Sequence, residues 1–445
     1  MPDRNSHEEP KNNETKEKRQ FIKETIVKPP RTRRQMAARA IALLFSAAFF
    51  GIIAAVTFAI TAPFARRYLT DETTESPTVT VTRPTDSETL PPEPETTVPQ
   101  SEEGLPAEED LEELIRSEIE SYQFNENDLK ALFNNLRTNA EEAGHGIVTV
   151  NAVKHQTDWF NNPVETAGQY SGVVIATTPL EYLILTPIEA VSGADSIMVT
   201  TEGNEMVSGQ LIGSDSVAGL AVIGIQMADL SQEALADMTV LELGNSHTVR
   251  QGDLLTAIGS PAGYPRSIGY GMVSYIRRNV QVTDGISRLF YVDAPGNAEK
   301  GTFLIDMDGR IVGWTTNDYQ PEGDSRVTAV RAISDYKPIL EKLSNGIQAP
   351  YFGIMGQEVT EQQIEQGLPA GIYVTRSIDD SPAYQAGIQA GDIITELGGN
   401  PVSSMAEWNE QLDALEVGQT INVRVERYGR EEYTELEYPV IIGAR

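Results

Sequence analysis

Apolar and polar positions alternate with three different periods along this chain. Residues 41–63, IALLFSAAFFGIIAAVTFAITAP, form one uncharged apolar run, close to the roughly 20 residues that cross a bilayer as a helix. Between 107 and 143 the spacing is helical: Leu111, Leu114, Ile115, Ile119 and Tyr122, then Leu129, Leu132, Phe133 and Leu136. The stretch FNEN at 124–127 interrupts it and predicts two helices. From about residue 146 the runs shorten and turn residues separate them. They predict strands at 147–153, 172–176, 182–186, 196–200, 205–214, 220–225, 253–258, 270–276, 290–292, 302–305 and 310–315. Asp308-Gly309 reads as the type I′ turn of a hairpin between the last two. That number and spacing of strands predict a pair of all-β barrels, not an alternating α/β fold. An amphipathic helix at 333–343 leaves the barrels, and Met405, Trp408, Leu412 and Leu415 mark the core face of a later one.

Charge changes the picture at the apolar run. The formal net charge is -31, yet residues 1–40 are basic, with Lys23, Lys28, Arg31, Arg33, Arg34 and Arg39 close together. Next to an apolar run, such a cluster sets topology. A cleaved signal peptide would start nearer the chain end and finish at a small-residue site. The expectation is therefore a single membrane helix at 41–63. It places a cytoplasmic tail at 1–40 and everything later on the far side of the cell membrane. Arg66 and Arg67 weaken the asymmetry without reversing it. Residues 64–106 are rich in Thr, Pro, Glu and Ser and cannot build a core, so they predict a disordered acidic linker. Strong acidity argues against nucleic acid as a partner of the main body. With no cysteine, disulfides and thiol chemistry are excluded. No two of His7, His145, His155 and His247 have metal-ligand spacing. No metal or cofactor is expected. His247, in a turn, is expected to be solvated.

Candidate chemistry centres on YVDAPGNAEKGTFLIDMDGRIVG at 291–313. A glycine-bearing loop there feeds into a hairpin, and the run resembles the nucleophile loop of HtrA-type trypsin-like serine proteases. Asp293-Ala294, Leu304, Asp308-Gly309 and Gly313 match that pattern. SGVVIA at 171–176, LILTPIEAV at 183–191, GSDSVAGLAVIGI at 213–225 and LELGNSHTVRQGDLLTAIGSPAG at 241–263 resemble further segments of the same family. The resemblance implies a trypsin-like domain over 144–345. It places the family's histidine at Glu189, its aspartate at Gly219 and its serine at Lys300, or at Gly301 when the shorter loop is counted from the other side. Glu189 is no imidazole base, Gly219 no orienting carboxylate, and neither Lys300 nor Gly301 a hydroxyl nucleophile. Thr302 beside Lys300 is the one substitute nucleophile to weigh. Glu189 and Lys300 carry opposite charge and are expected to form an ion pair across the cleft.

Residues 349–441 resemble a PDZ domain in the HtrA arrangement. YFGI (Tyr351, Phe352, Gly353, Ile354) matches the family's carboxylate-binding loop, and GIYVTRSIDDSPAYQAGIQAGDIITELGGNPV at 371–402 matches its longest signature. Such a loop turns successive backbone N–H groups toward a peptide's terminal carboxylate while the peptide adds as a strand. Together with the apolar run at 41–63 and the replaced triad positions, the resemblance implies a membrane-anchored, non-catalytic protein that captures peptide C-termini or unfolded exported proteins as a sensor or scaffold. The alternative is an active serine endopeptidase of envelope quality control. It further implies oligomers, a trimer or a mixed assembly, with 107–143 as a contributing segment.

Overall fold

The computed structural model describes residue 79, residues 125–157, 163–321 and 326–445, without the side chains of 155–157 and 163–166. The basic tail, the apolar run at 41–63, nearly all of the acidic linker and the first expected helix of 107–143 lie outside the described residues. Among the described residues no helix is long and apolar enough to cross a membrane.

Helix α1 (Glu126–Gly144) starts where the FNEN interruption ends. The Asn125 side chain accepts from Asn127 N at 2.8 Å, and Asn125 N donates to the Asp128 carboxylate at 2.7 Å, a reciprocal cap. Its buried face is not the expected one. Leu136, Ala140 and Ala143 pack inward, whereas Leu129, Leu132 and Phe133 are exposed. The two alanines let the end of the helix approach the barrels closely. Asn139 Nδ2 then ties it to the carbonyls of Asp306 and Met307, each at 3.1 Å.

Two closed antiparallel barrels follow, as the strand pattern predicts. The first contains β1 (Ile147–Thr157), β2 (Pro163–Thr177), β3 (Glu181–Pro187), β4 (Ser196–Thr200), β5 (Met206–Asp215) and β6 (Leu220–Gln226), in the order β1-β2-β3-β6-β5-β4. A short helix, α2 (Gln232–Asp237), leads to the second. This holds β7 (Leu254–Gly259), β8 (Ser267–Val282), β9 (Gly285–Val292), β10 (Thr302–Ile305), β11 (Ile311–Thr315) and β12 (Thr328–Ala332), in the order β10-β11-β12-β9-β8-β7. Leu183, Leu185, Ile258, Phe303 and Trp314 meet in one core cluster shared by both barrels. The turn before β11 is not type I′. Only Gly309 takes positive φ, +78, because the Asp306 carboxylate accepts from Asp308 N and Arg310 N and sets the turn one step earlier.

Helix α3 (Lys337–Ser344) leads to the last module, whose elements are β13 (Pro350–Tyr351), β14 (Ile354–Glu358), α4 (Glu361–Glu365), β15 (Ile372–Ser377), α5 (Pro382–Ala386), β16 (Ile393–Leu397), β17 (Asn400–Pro401), α6 (Met405–Asp413), β18 (Thr420–Tyr428), β19 (Tyr433–Ile441) and β20 (Gly443–Ala444). Its main sheet runs β14-β15-β16-β18-β19, which leaves β14 at an edge. Trp408 of α6 is fully buried against Phe352, edge to face, with ring centroids 5.1 Å apart. The described residues all fall in one compact unit, so the barrels and this module meet.

Candidate functional site

Between the barrels lies a cleft of about 190 Å³. Glu189, in the single 3-10 turn after β3, lines it, and so do Gly219 and Gly301. The sequence mapping thus brings three separate segments to one place. Ile188 N donates to Gly219 O at 3.0 Å, which joins the first two directly. Of the pair 300–301, Gly301 faces the cleft and Lys300 does not. The Lys300 ammonium instead sits over the Tyr170 ring, 4.5 Å from its centroid. The expected ion pair is not formed among the described residues, and Tyr170 takes the cation. Burial, and then the charges of Glu189 and Glu299, push the Tyr170 phenol up.

The loop at 295–301 folds onto itself. Lys300 N donates to Asn297 Oδ1 at 3.0 Å and Gly301 N to Ala298 O at 3.4 Å. Gly301 holds φ +85 and its carbonyl accepts from Ser260 N at 2.8 Å. Amides engaged this way do not point into a cleft to hold an oxyanion. Thr302 is no free hydroxyl either. It is buried, its Oγ1 accepting from Asn297 N at 3.0 Å and donating to Asn297 O at 3.2 Å. Among the described residues no histidine lines the cleft. His247 is not simply solvated in its turn: it is half-buried, and Nε2 lies 2.9 Å from Asp335 Oδ1 in the 3-10 turn Ile333–Tyr336.

The YFGI loop forms the second site. Gly353 takes φ +91, and a Cβ there would lie 2.1 Å from Ser381 Cβ, so only glycine fits. With that turn made, the amides of Phe352, Gly353 and Ile354 converge on a single carboxylate. It belongs to Asp284, at the tip of the β8–β9 hairpin of the second barrel. Phe352 N donates to Oδ2 at 2.9 Å, Gly353 N and Ile354 N to Oδ1 at 2.7 and 2.9 Å. Asp284 N returns a bond to Ile354 O at 2.7 Å, and Trp408 Nε1 donates to Asp284 O at 3.2 Å. Ile286, two residues on, packs against the module's core. Burial pushes the Asp284 carboxyl up, opposed by the Arg445 guanidinium and the three amides. Asp284 was invisible to sequence reasoning: Asp-Gly at 284–285 signals a turn, but nothing local marks it as the occupant of a loop 68–70 residues away.

Residues 170–313 match the trypsin-like peptidase domain family and residues 352–437 the PDZ domain family. The chain is 31% identical over 288 residues to the serine protease Do-like HtrA of Bacillus subtilis, which takes in 60% of this chain and 62% of that protein. It is 30% identical over 273 residues to the probable periplasmic serine endoprotease DegP-like of Pseudomonas fluorescens, covering 60% of this chain and 55% of that protein. It thus spans little more than half the length of these curated relatives. Among solved structures it is similar to the HtrA-type protease AlgW with decapeptide, at 22% identity and a TM-score of 0.49, over 69% of this chain and 98% of that one.

Proposed function

Because this chain belongs to the HtrA-type protease family, with a trypsin-like peptidase domain followed by a PDZ domain, we propose that it is a non-catalytic member that captures peptide C-termini. The observation that carries this reading is the convergence of three consecutive loop amides on one carboxylate. A site that holds Asp284 this way has the donors a terminal carboxylate needs, beside β14 at the edge of its sheet. The barrel cleft lacks the complementary chemistry. Glu189, Gly219 and Gly301 occupy the positions the family uses for base, orienting acid and nucleophile, and the loop amides are turned inward.

The protein acts outside the cytoplasmic membrane, tethered by residues 41–63, on C-termini or unfolded segments of exported proteins. The periplasmic relatives support that location. Exposed Leu129, Leu132 and Phe133 on α1 support assembly with further copies or with an active relative. The second reading, an active endopeptidase, draws on the serine-protease names of the relatives. Incubating the full chain with unfolded, fluorescently labelled casein separates the two. No fluorescence release, alongside saturable binding of C-terminally carboxylated peptides, is expected. Turnover that survives removal of contaminating proteases would overturn the non-catalytic reading.

A further inference from the structure

We propose that the β8–β9 hairpin is a resident ligand of the PDZ site: Asp284 holds the carboxylate loop closed, and an external peptide binds only by displacing it. This rests on the peptide-capture reading of the loop and deepens it. The hairpin reproduces each part of a bound peptide's contact. Its carboxylate takes all three loop amides. Its backbone pairs with the edge strand through Asp284 N and Ile354 O at 2.7 Å. Ile286 supplies the apolar side chain that packs on the module's core. A Cβ on Gly285 would lie 3.2 Å from Asn409 Oδ1, so the turn lies close against helix α6. Gln281 extends the match along β14, its Nε2 donating to Gln357 Oε1 at 2.7 Å and its Oε1 accepting from Thr375 Oγ1 at 2.8 Å.

Asp284 is suited to this and poor at anything else. It is buried, in the left-handed conformation at φ +61, and 4% exposed. A turn residue facing solvent would serve the hairpin as well without burying a charge. Two carboxylates cannot share three amides, so the sites are mutually exclusive. A ligand whose site is open in only a fraction of molecules binds with its affinity reduced by that fraction. The loop therefore sets a threshold: weak or sparse C-termini leave the hairpin docked, and strong or abundant ones release it.

The test uses the full chain and a fluorescein-labelled decapeptide ending in Ile-Val-Ile with a free carboxylate, its C-terminally amidated twin as control. Asp284→Gly removes the carboxylate and keeps the left-handed turn; Asp284→Asn keeps the turn and part of the hydrogen bonding. By anisotropy, Asp284→Gly should bind the carboxylated peptide about tenfold tighter or more than wild type, with Asp284→Asn between. The amidated peptide should stay unbound. By hydrogen exchange, peptide should raise uptake at 281–287 in wild type, and Asp284→Gly alone should raise it at 351–355. Equal affinity of wild type and Asp284→Gly would overturn the proposal. If no variant binds the peptide, the capture reading fails, and exchange still decides the clasp: unchanged uptake at 351–355 in Asp284→Gly overturns it, and a rise upholds it as a purely structural clasp.

Discussion

Replacing Gly301 by serine, the residue the family resemblance puts at 300 or 301, should damage the protein and not revive it. Gly301 sits at φ +85. A side chain there would put Cβ 2.6 Å from the Ser171 carbonyl oxygen and 2.9 Å from Pro187 Cδ. The left-handed conformation costs a non-glycine residue about 1–2 kcal/mol, and overpacking a tight site costs about 1–3 kcal/mol more. The loop cannot simply retreat. Ser171 N donates to Lys300 O and Ser260 N to Gly301 O, both at 2.8 Å, so moving Gly301 away breaks bonds to both barrels. Gly301→Ser should therefore lose about 2–5 kcal/mol of stability. Urea unfolding followed by tryptophan fluorescence measures it, since Trp314 lies in the core that both barrels share. The triple variant Glu189→His, Gly219→Asp, Gly301→Ser should likewise release no peptide from casein. Gly301→Ser within about 0.5 kcal/mol of wild type, the range of a neutral surface change, would refute the argument from crowding. Cleavage by the triple variant would go further, because it would mean that the loop relaxes into an open oxyanion geometry.

Two other changes probe side chains whose partners the structure assigns. A double-mutant cycle between Glu189→Gln and Lys300→Met should give coupling indistinguishable from zero, whereas Lys300→Met with Tyr170→Leu should couple by about 0.5–1 kcal/mol, as a cation over an aromatic face does; larger coupling in the first cycle would restore the ion pair. In the PDZ domain, Arg427 grips the buried Asp392 with Nε at 2.6 Å and Nη2 at 2.7 Å. Arg427→Met leaves that carboxylate uncompensated and should cost about 3–5 kcal/mol, and adding Asp392→Asn should recover part of the loss. Thermal unfolding of the three variants checks both signs.

Most of the barrel pair was legible because its strands are short apolar runs set off by turn residues: β3, β6, β7, β10 and β11 are buried along nearly their whole length, and only β8 shows a clear alternation of buried and exposed positions. Strands 196–200 and 302–305 fall at the predicted bounds. β12 was missed because Arg331 breaks its apolar run. That residue is buried even so, with Nη1 2.6 Å from the Tyr336 hydroxyl and Nη2 2.7 Å from Asp318. The helix preceding the barrels was found, but of Leu129, Leu132, Phe133 and Leu136 only Leu136 turns inward, beside Ala140 and Ala143, since spacing does not tell a close approach from a loose one. The cleft positions followed from motif alignment, yet a one-residue gap left Lys300 and Gly301 tied. Only the turn at Asn297–Gly301, closed by its own hydrogen bonds, decides which of them faces the cleft. The carboxylate loop was legible as a sequence. Its occupant was not, because the docking of Asp284 is a property of two domains together.

How far a displaced hairpin disturbs the barrel depends on how β8 and β9 are held. Residues 289–292 of β9 pair on both sides, with β8 and with β12. Residues 285–287 pair with β8 alone. β8 loses register between Arg277 and Val280, and Asn279 there holds φ +54. Such a bulge bends a strand and interrupts its ladder. The tip from 280 to 287 can therefore lift about the bulge while 289–292 stays fixed between two neighbours. Peptide binding should raise hydrogen exchange within 280–287 and leave 289–292 as protected as before. β9 ends one residue before Asp293, where the loop toward Gly301 begins, so the alternative has a distinct signature. If exchange rises through 289–292 and on into 293–301, the barrel transmits release of Asp284 to the cleft, and the bulge is not the hinge.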